Sequence, residues 1–151
     1  MMGQPPDTDR SALDHALAGL CRSFALDAIY VFGSRAMEIS HAARHGRPLD
    51  PHAASDIDVG VLPQPGTRVD AQARAKLTMA LETLLSGAQV DLVVLPEAPP
   101  FLALDIVAGE LLVAIEKDRV AEYELFVLRR AGDLAPFERE RRRLLLGGNA
   151  S

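Results

Sequence analysis

A single cysteine, Cys21, in 151 residues excludes an internal disulfide and with it a small disulfide-built scaffold. The chain has no basic excess. Sixteen Lys and Arg stand against 21 Asp and Glu, a formal net charge of -5, which argues against a domain made to grip nucleic acid; no direct nucleic-acid binding is expected, and any such contact would have to be local. No apolar run approaches the roughly 18 residues of a membrane span. The first thirty residues show no basic start followed by an unbroken apolar stretch, so no secretory signal is read there. Internal repeats and low-complexity tracts are also missing. These absences point to a soluble cytoplasmic protein. What is present, 48% hydrophobic and 25% charged residues, suits one well-covered core and one domain.

Residues 1–10 are polar, include two prolines and read as a mobile tail preceding a domain over 11–146. Ser11 with Asp14 resembles a capping pair, and Leu13, Leu17, Leu20, Cys21 and Phe24 recur at helical spacing. Short buried strands are expected over 27–32 (DAIYVF), 57–62 (IDVGVL) and 89–95 (QVDLVVL). Between the last two, Ala73, Leu77, Ala80, Leu81, Leu84 and Leu85 keep the 3.6-residue period, with Gly87 at the C-cap. A short helix over 101–109, a fourth strand over 111–115 and a helix over 118–130 follow. Gly132 then breaks the pattern, and Pro136 near a first helical position predicts one more helix. Helices alternating with strands make an α/β domain with a small sheet.

Three places carry chemistry. In Ser55-Asp56-Ile57-Asp58-Val59-Gly60-Val61 the two carboxylates lie two apart, so a strand projects both to one face while Ile57, Val59 and Val61 enter the core. Asp91 interrupts another apolar strand, where an ionised side chain is costly unless compensated. If these strands are neighbours the three carboxylates converge. At an effective dielectric of ~20, two such charges 4 Å apart repel by about 4 kcal/mol, and magnesium, a hard oxygen-seeking ion that bridges carboxylates to phosphates, is the matching cation, with two ions plausible. The third place is Tyr30-Val31-Phe32-Gly33-Ser34-Arg35-Ala36. A strand that ends in Gly33-Ser34 and leads into a helix exposes backbone N–H groups and a hydroxyl to phosphate oxygens, and Arg35 adds charge from the side or is simply solvated.

Taken together, GSRA, SDIDVGV and VDLVVL resemble the minimal nucleotidyltransferase (MNT) family of the DNA polymerase beta superfamily, in order and in the right strand contexts. APPFLALDIVAGELLVAIEKD is similar to that family's stretch after the third Asp, so the likeness covers most of the chain. The resemblance implies a nucleotidyltransferase fold with a small mixed sheet packed by helices. It implies Gly33, Ser34 and Arg35 on the nucleotide, Asp56, Asp58 and Asp91 as ligands of Mg2+, and Asp91 placed to help deprotonate an attacking hydroxyl. It further implies an antitoxin that transfers AMP from ATP to a hydroxyl, a tyrosine, of a HEPN-type RNase toxin, in a hetero-oligomer with it. The segment 36–55 between the Gly-Ser turn and Asp56 is longer than in most relatives; it reads either as a lid or as a spacer that displaces the turn.

Other readings stay open beside this one. The carboxylates read alternatively as a strand-end cap with two solvated residues, or as the Asp-x-Asp of a nucleotide-sugar transferase, whose domains are much larger. An idle antitoxin that neutralises by covering its partner is a further alternative, as is transfer to a small molecule or an RNA end. His41 and His45 have zinc-compatible i, i+4 spacing without an evident third ligand. Cys21, Tyr30 and Tyr123 read as packing residues, and Arg139 to Arg143 as a solvated helix face or a contact with an acidic partner.

Overall fold

A computed structural model describes residues 8–46, 49 and 55–147 of the chain. In chain order the elements are α1 (Thr8–Phe24), β1 (Leu26–Phe32), α2 (Ala36–His45), β2 (Ile57–Pro63), α3 (Ala71–Leu84), β3 (Val90–Val94), α4 (Pro100–Val107), β4 (Glu110–Ala114) and α5 (Lys117–Gly147), with a 3-10 turn at Leu95–Glu97. The strands form one mixed sheet in the order β3-β2-β1-β4. β2 and β3 run parallel, whereas β1 is antiparallel to both its neighbours.

Both faces of this sheet are covered, which is why its strands are apolar with little alternation. On one face Ile29, Val31, Ile57, Val59 and Val61 pack with Leu17 and Cys21 of α1, Ile39 of α2 and Leu77 and Leu81 of α3. On the other, Ala28, Tyr30 and Leu62 meet Ala103 and Ile106 of α4 and Val120 and Val127 of α5. Gly60 makes the second layer fit: a Cβ there would stand 2.5 Å from Ile106 Cγ2. Tyr30 is fully buried, and its hydroxyl donates to Glu124 Oε2, tying β1 to α5. At the far end of β1, Arg119 grips the buried Asp27 with Nε and a terminal nitrogen at 2.9 and 2.7 Å. Cys21 is a core residue whose thiol is pushed up to about 12, chiefly by burial.

The α3 cap falls at Leu85 instead of Gly87, and the boundaries differ from expectation in three larger ways. α1 begins at Thr8, so residues 8–10 of the expected tail are helical and Ser11 is inside the helix rather than at its cap. Half of the long segment 36–55 is α2, which packs on α1, β1 and β4; residues 47, 48 and 50–54 lie outside the described residues. The expected pair of terminal helices is one continuous helix, α5, with Pro136 in its interior. Pro136 lacks the N–H that would bond the carbonyl four residues back. That carbonyl belongs to Gly132, which is exposed and has no side chain to keep water from it, so the interruption is tolerated without ending the helix.

Candidate active site

β1 delivers Phe32 opposite Asp58 of β2, and β2 in turn sets Asp58 beside Asp91 of β3. In a parallel ladder such register partners project to the same side. Asp56 lies two residues before Asp58 along the same strand direction. Burial first, then the charges of Asp91 and Asp56, pushes the Asp58 carboxyl above the usual carboxylate range. The three acidic groups therefore sense one another on one face at the starting ends of β2 and β3. Asp56 and Asp91 are exposed and Asp58 is half-buried. Among the described residues, no group of three His, Cys, Asp or Glu side chains is already arranged as a set of metal ligands.

The turn that follows β1 presses directly on this cluster. Gly33 adopts φ +78, a region open to glycine and strained for other residues, and a Cβ on it would overlap Asp58 Oδ2. Gly33 and Ser34 are both exposed, beside the half-buried carboxylate and at the entry to α2.

Arg35 departs from the expected phosphate-facing role. Its side chain is only 6% exposed; Nε and one terminal nitrogen donate to the two carboxylate oxygens of Glu38 at 2.9 and 2.8 Å, and the other donates to the Ser55 carbonyl at 3.1 Å. Its charge is matched within the protein, and it links the start of α2 to the backbone just ahead of Asp56. A fork-shaped cation suits this task, since one planar group can bond a carboxylate with two parallel bonds and a carbonyl with a third.

Sequence reasoning missed Glu82, whose Oε2 accepts from the backbone N–H of Val90 at 3.0 Å and so fixes the start of β3 next to Asp91. No local pattern signals a helix carboxylate that reaches the next strand. His41 and His45 are exposed, with ring centroids 5.6 Å apart, and no third ligand joins them among the described residues. Cavities among the described residues lie elsewhere: one of about 490 Å3 at the Pro63 end of β2, lined by Asp27, Pro63, Pro65, Arg119 and Tyr123, one of about 560 Å3 between α4 and α5, and a smaller one of about 270 Å3 beside Ser40 and Arg44 of α2. The carboxylates themselves stand at an open sheet end.

Residues 17–118 match the family profile described as Polymerase beta, Nucleotidyltransferase. The chain belongs to that family. Among solved structures, this nucleotidyltransferase is similar to a toxin-antitoxin with AMP-PNP at 27% identity and a TM-score of 0.60, covering 87% of this chain and 94% of the matched one. A mutant of the toxin-antitoxin MntA-HpeT aligns at 26% identity and 0.60 over the same shares of each chain. A rebuilt structure of a tri-AMPylated Shewanella oneidensis HEPN toxin in complex with MNT antitoxin aligns at 25% identity and 0.57, covering 90% of this nucleotidyltransferase and 95% of the matched chain. Comparison with curated proteins returned no match. Among the described residues, no helix of the nucleotidyltransferase is long and apolar enough to cross a membrane.

Proposed function

We propose that this nucleotidyltransferase is a cytoplasmic antitoxin that transfers AMP from ATP to a tyrosine hydroxyl of a cognate HEPN-type RNase toxin, silencing it. The observation that carries the reading is the register of Asp58 against Asp91 on parallel strands, with the Gly33 turn in contact with Asp58. Support for the acceptor comes from the similar structures, one of which is an AMPylated HEPN toxin in complex with an MNT antitoxin.

In this reading Gly33 and Ser34 receive the phosphates, through backbone N–H groups and a hydroxyl at the entry to α2. Asp56, Asp58 and Asp91 would hold magnesium: an all-oxygen donor set suits a hard cation, and the mutual repulsion felt at Asp58 is what a divalent charge offsets. Bound magnesium would neutralise charge on the phosphates and on the departing pyrophosphate. Asp91, exposed beside Asp58, accepts the proton of the attacking hydroxyl. The acceptor oxygen bonds the α-phosphorus as the bond from that phosphorus to the bridging oxygen of the β-phosphate breaks, and pyrophosphate leaves with both electrons of that bond. Such chemistry asks the protein mainly to position groups and balance charge.

The test is incubation of the purified chain with labelled ATP, magnesium and the HEPN-type product of the adjacent gene. Label should appear on a tyrosine of that product and disappear with Asp56→Ala and Asp58→Ala together. Unlabelled partner, or label that survives the double substitution, overturns the reading. A binding-only antitoxin is the second reading, favoured by the engagement of Arg35 with Glu38 and the Ser55 carbonyl instead of an open phosphate site; it predicts protection from the toxin by wild type and the double variant alike.

A further inference from the structure

α5 outruns the sheet it packs on. Its 31 residues span about 46 Å, whereas seven-residue β1 and β2 span about 23 Å. Among the described side chains of α5 the last buried one is Ala131, and beyond it Leu134, Phe137, Leu144 and Leu145 are exposed, Phe137 by 74%. At 100° per residue these four fall within one stripe about 100° wide. Beside the stripe runs the cavity of about 560 Å3 between α4 and α5, whose α4 wall is Phe101, Leu104 and Asp105. Helices rarely carry such a face into water without a partner.

Charge indicates what covers it. From Arg129 to Gly147 six arginines stand against three carboxylates, a net +3 on a chain of net -5, so the remainder carries -8. Glu138 and Glu140 are engaged by Arg141, Arg142 and Arg143, and among the described residues no carboxylate pairs with Arg139, which lines the groove. A basic, apolar-centred face complements an acidic one with apolar anchors. Position indicates its purpose. Ile106, the residue after the groove-lining Asp105 on α4, rests on Gly60, and Gly60 is two residues from Asp58 on the same side of β2. A protein seated in the groove lies on the sheet face that presents the carboxylates.

We infer that the α4–α5 groove with the Leu134–Leu145 stripe is the docking surface for the acceptor protein, through an acidic face of that partner with exposed apolar side chains. The inference rests on the proposed function, in which the acceptor is a HEPN-type protein. The test is calorimetric titration of the chain with the HEPN-type product of the adjacent gene, at low and high salt, using wild type, Phe137→Asp, Phe101→Asp and Arg139→Glu. ATP–magnesium affinity and the thermal midpoint of each variant are measured alongside, and all three substitutions lie on exposed positions. Each variant should bind the partner at least about tenfold more weakly, with Arg139→Glu also flattening the salt dependence, while ATP–magnesium binding stays unchanged. Variants that bind as tightly as wild type overturn the docking surface and leave the HEPN reading intact. If the free chain self-associates and the substitutions only dissolve that self-association, the face is an interface between copies and the inference also falls. If wild type does not bind the HEPN-type protein at all, the functional reading fails and carries this inference with it.

Discussion

Gly33 and Asp58 cannot both keep their places if a side chain is added to Gly33, because its Cβ would occupy the position of Asp58 Oδ2. Gly33→Ala therefore combines the strain of a left-handed backbone, about 1–2 kcal/mol, with displacement of a carboxylate in the candidate site. Denaturant unfolding should show a loss of that order, and nucleotide transfer should fall by about a hundredfold, since misplacing a positioned group by about 1 Å has that effect. Activity retained at the wild-type level would mean that Asp58 is not a working ligand.

Asp58→Asn should stabilise the chain in chelator at neutral pH. In the folded state Asp58 holds its proton more tightly than an ordinary carboxyl does. Folding stability in the wild type thus falls as pH rises from the ordinary carboxylate value through the raised one, and the asparagine variant lacks that fall. Thermal midpoints measured across the acid range should separate as pH rises and merge at its acid end. Added magnesium should reverse the order: at a hundredfold excess over Kd, binding contributes about 2.7 kcal/mol, on the order of 5–10 °C for a domain of this size, to wild type and little to the variant.

Arg35→Met removes the group that joins Glu38 to the Ser55 carbonyl. Glu38 keeps some access to water, so the expected cost is about 1–3 kcal/mol, less than for a fully buried pair. If Arg35 acts by holding the backbone before Asp56, kcat should drop more than the KM for ATP rises, and Arg35→Lys should restore stability better than turnover. A rise in KM alone would return Arg35 to direct phosphate binding.

Gly60→Ala should cost about 1–3 kcal/mol through overpacking, because Ile106 Cγ2 occupies the space a methyl group needs. Pairing it with Ile106→Val relieves the clash, and a double-mutant cycle by thermal unfolding should show recovery.

Much of this arrangement is legible from residue order because strand periodicity is strict. Asp56 and Asp58 two apart, and Asp91 within VDLVV, are placed on a common face by that rule once β2 and β3 pair. What residue order leaves open is which strands pair and what long side chains reach. Arg35 reads equally as a phosphate ligand or a solvated cation; only the folded chain brings Ser55 within 3.1 Å of it, across a separation of 20 residues. Glu82 touches Val90 because of the tight connection after α3, which composition does not reveal. Gly132 and Pro136 carry the local signals of a helix end and a helix start. Their four-residue spacing lets the missing bond of one fall on the bare carbonyl of the other, so the break never occurs.

The antiparallel pairing of β1 with β2 also bears on how this family can vary. The chain leaves β1 at Gly33 and returns to Asp58 at the same end of the sheet, with Phe32 and Asp58 held opposite one another by the ladder. The intervening stretch is therefore a hairpin connection whose two feet are anchored independently of its length. Doubling such a connection costs only about 0.6 kcal/mol in closure entropy. Insertions there can diverge freely in size and content between related proteins while the glycine bend and the paired acids stay in register.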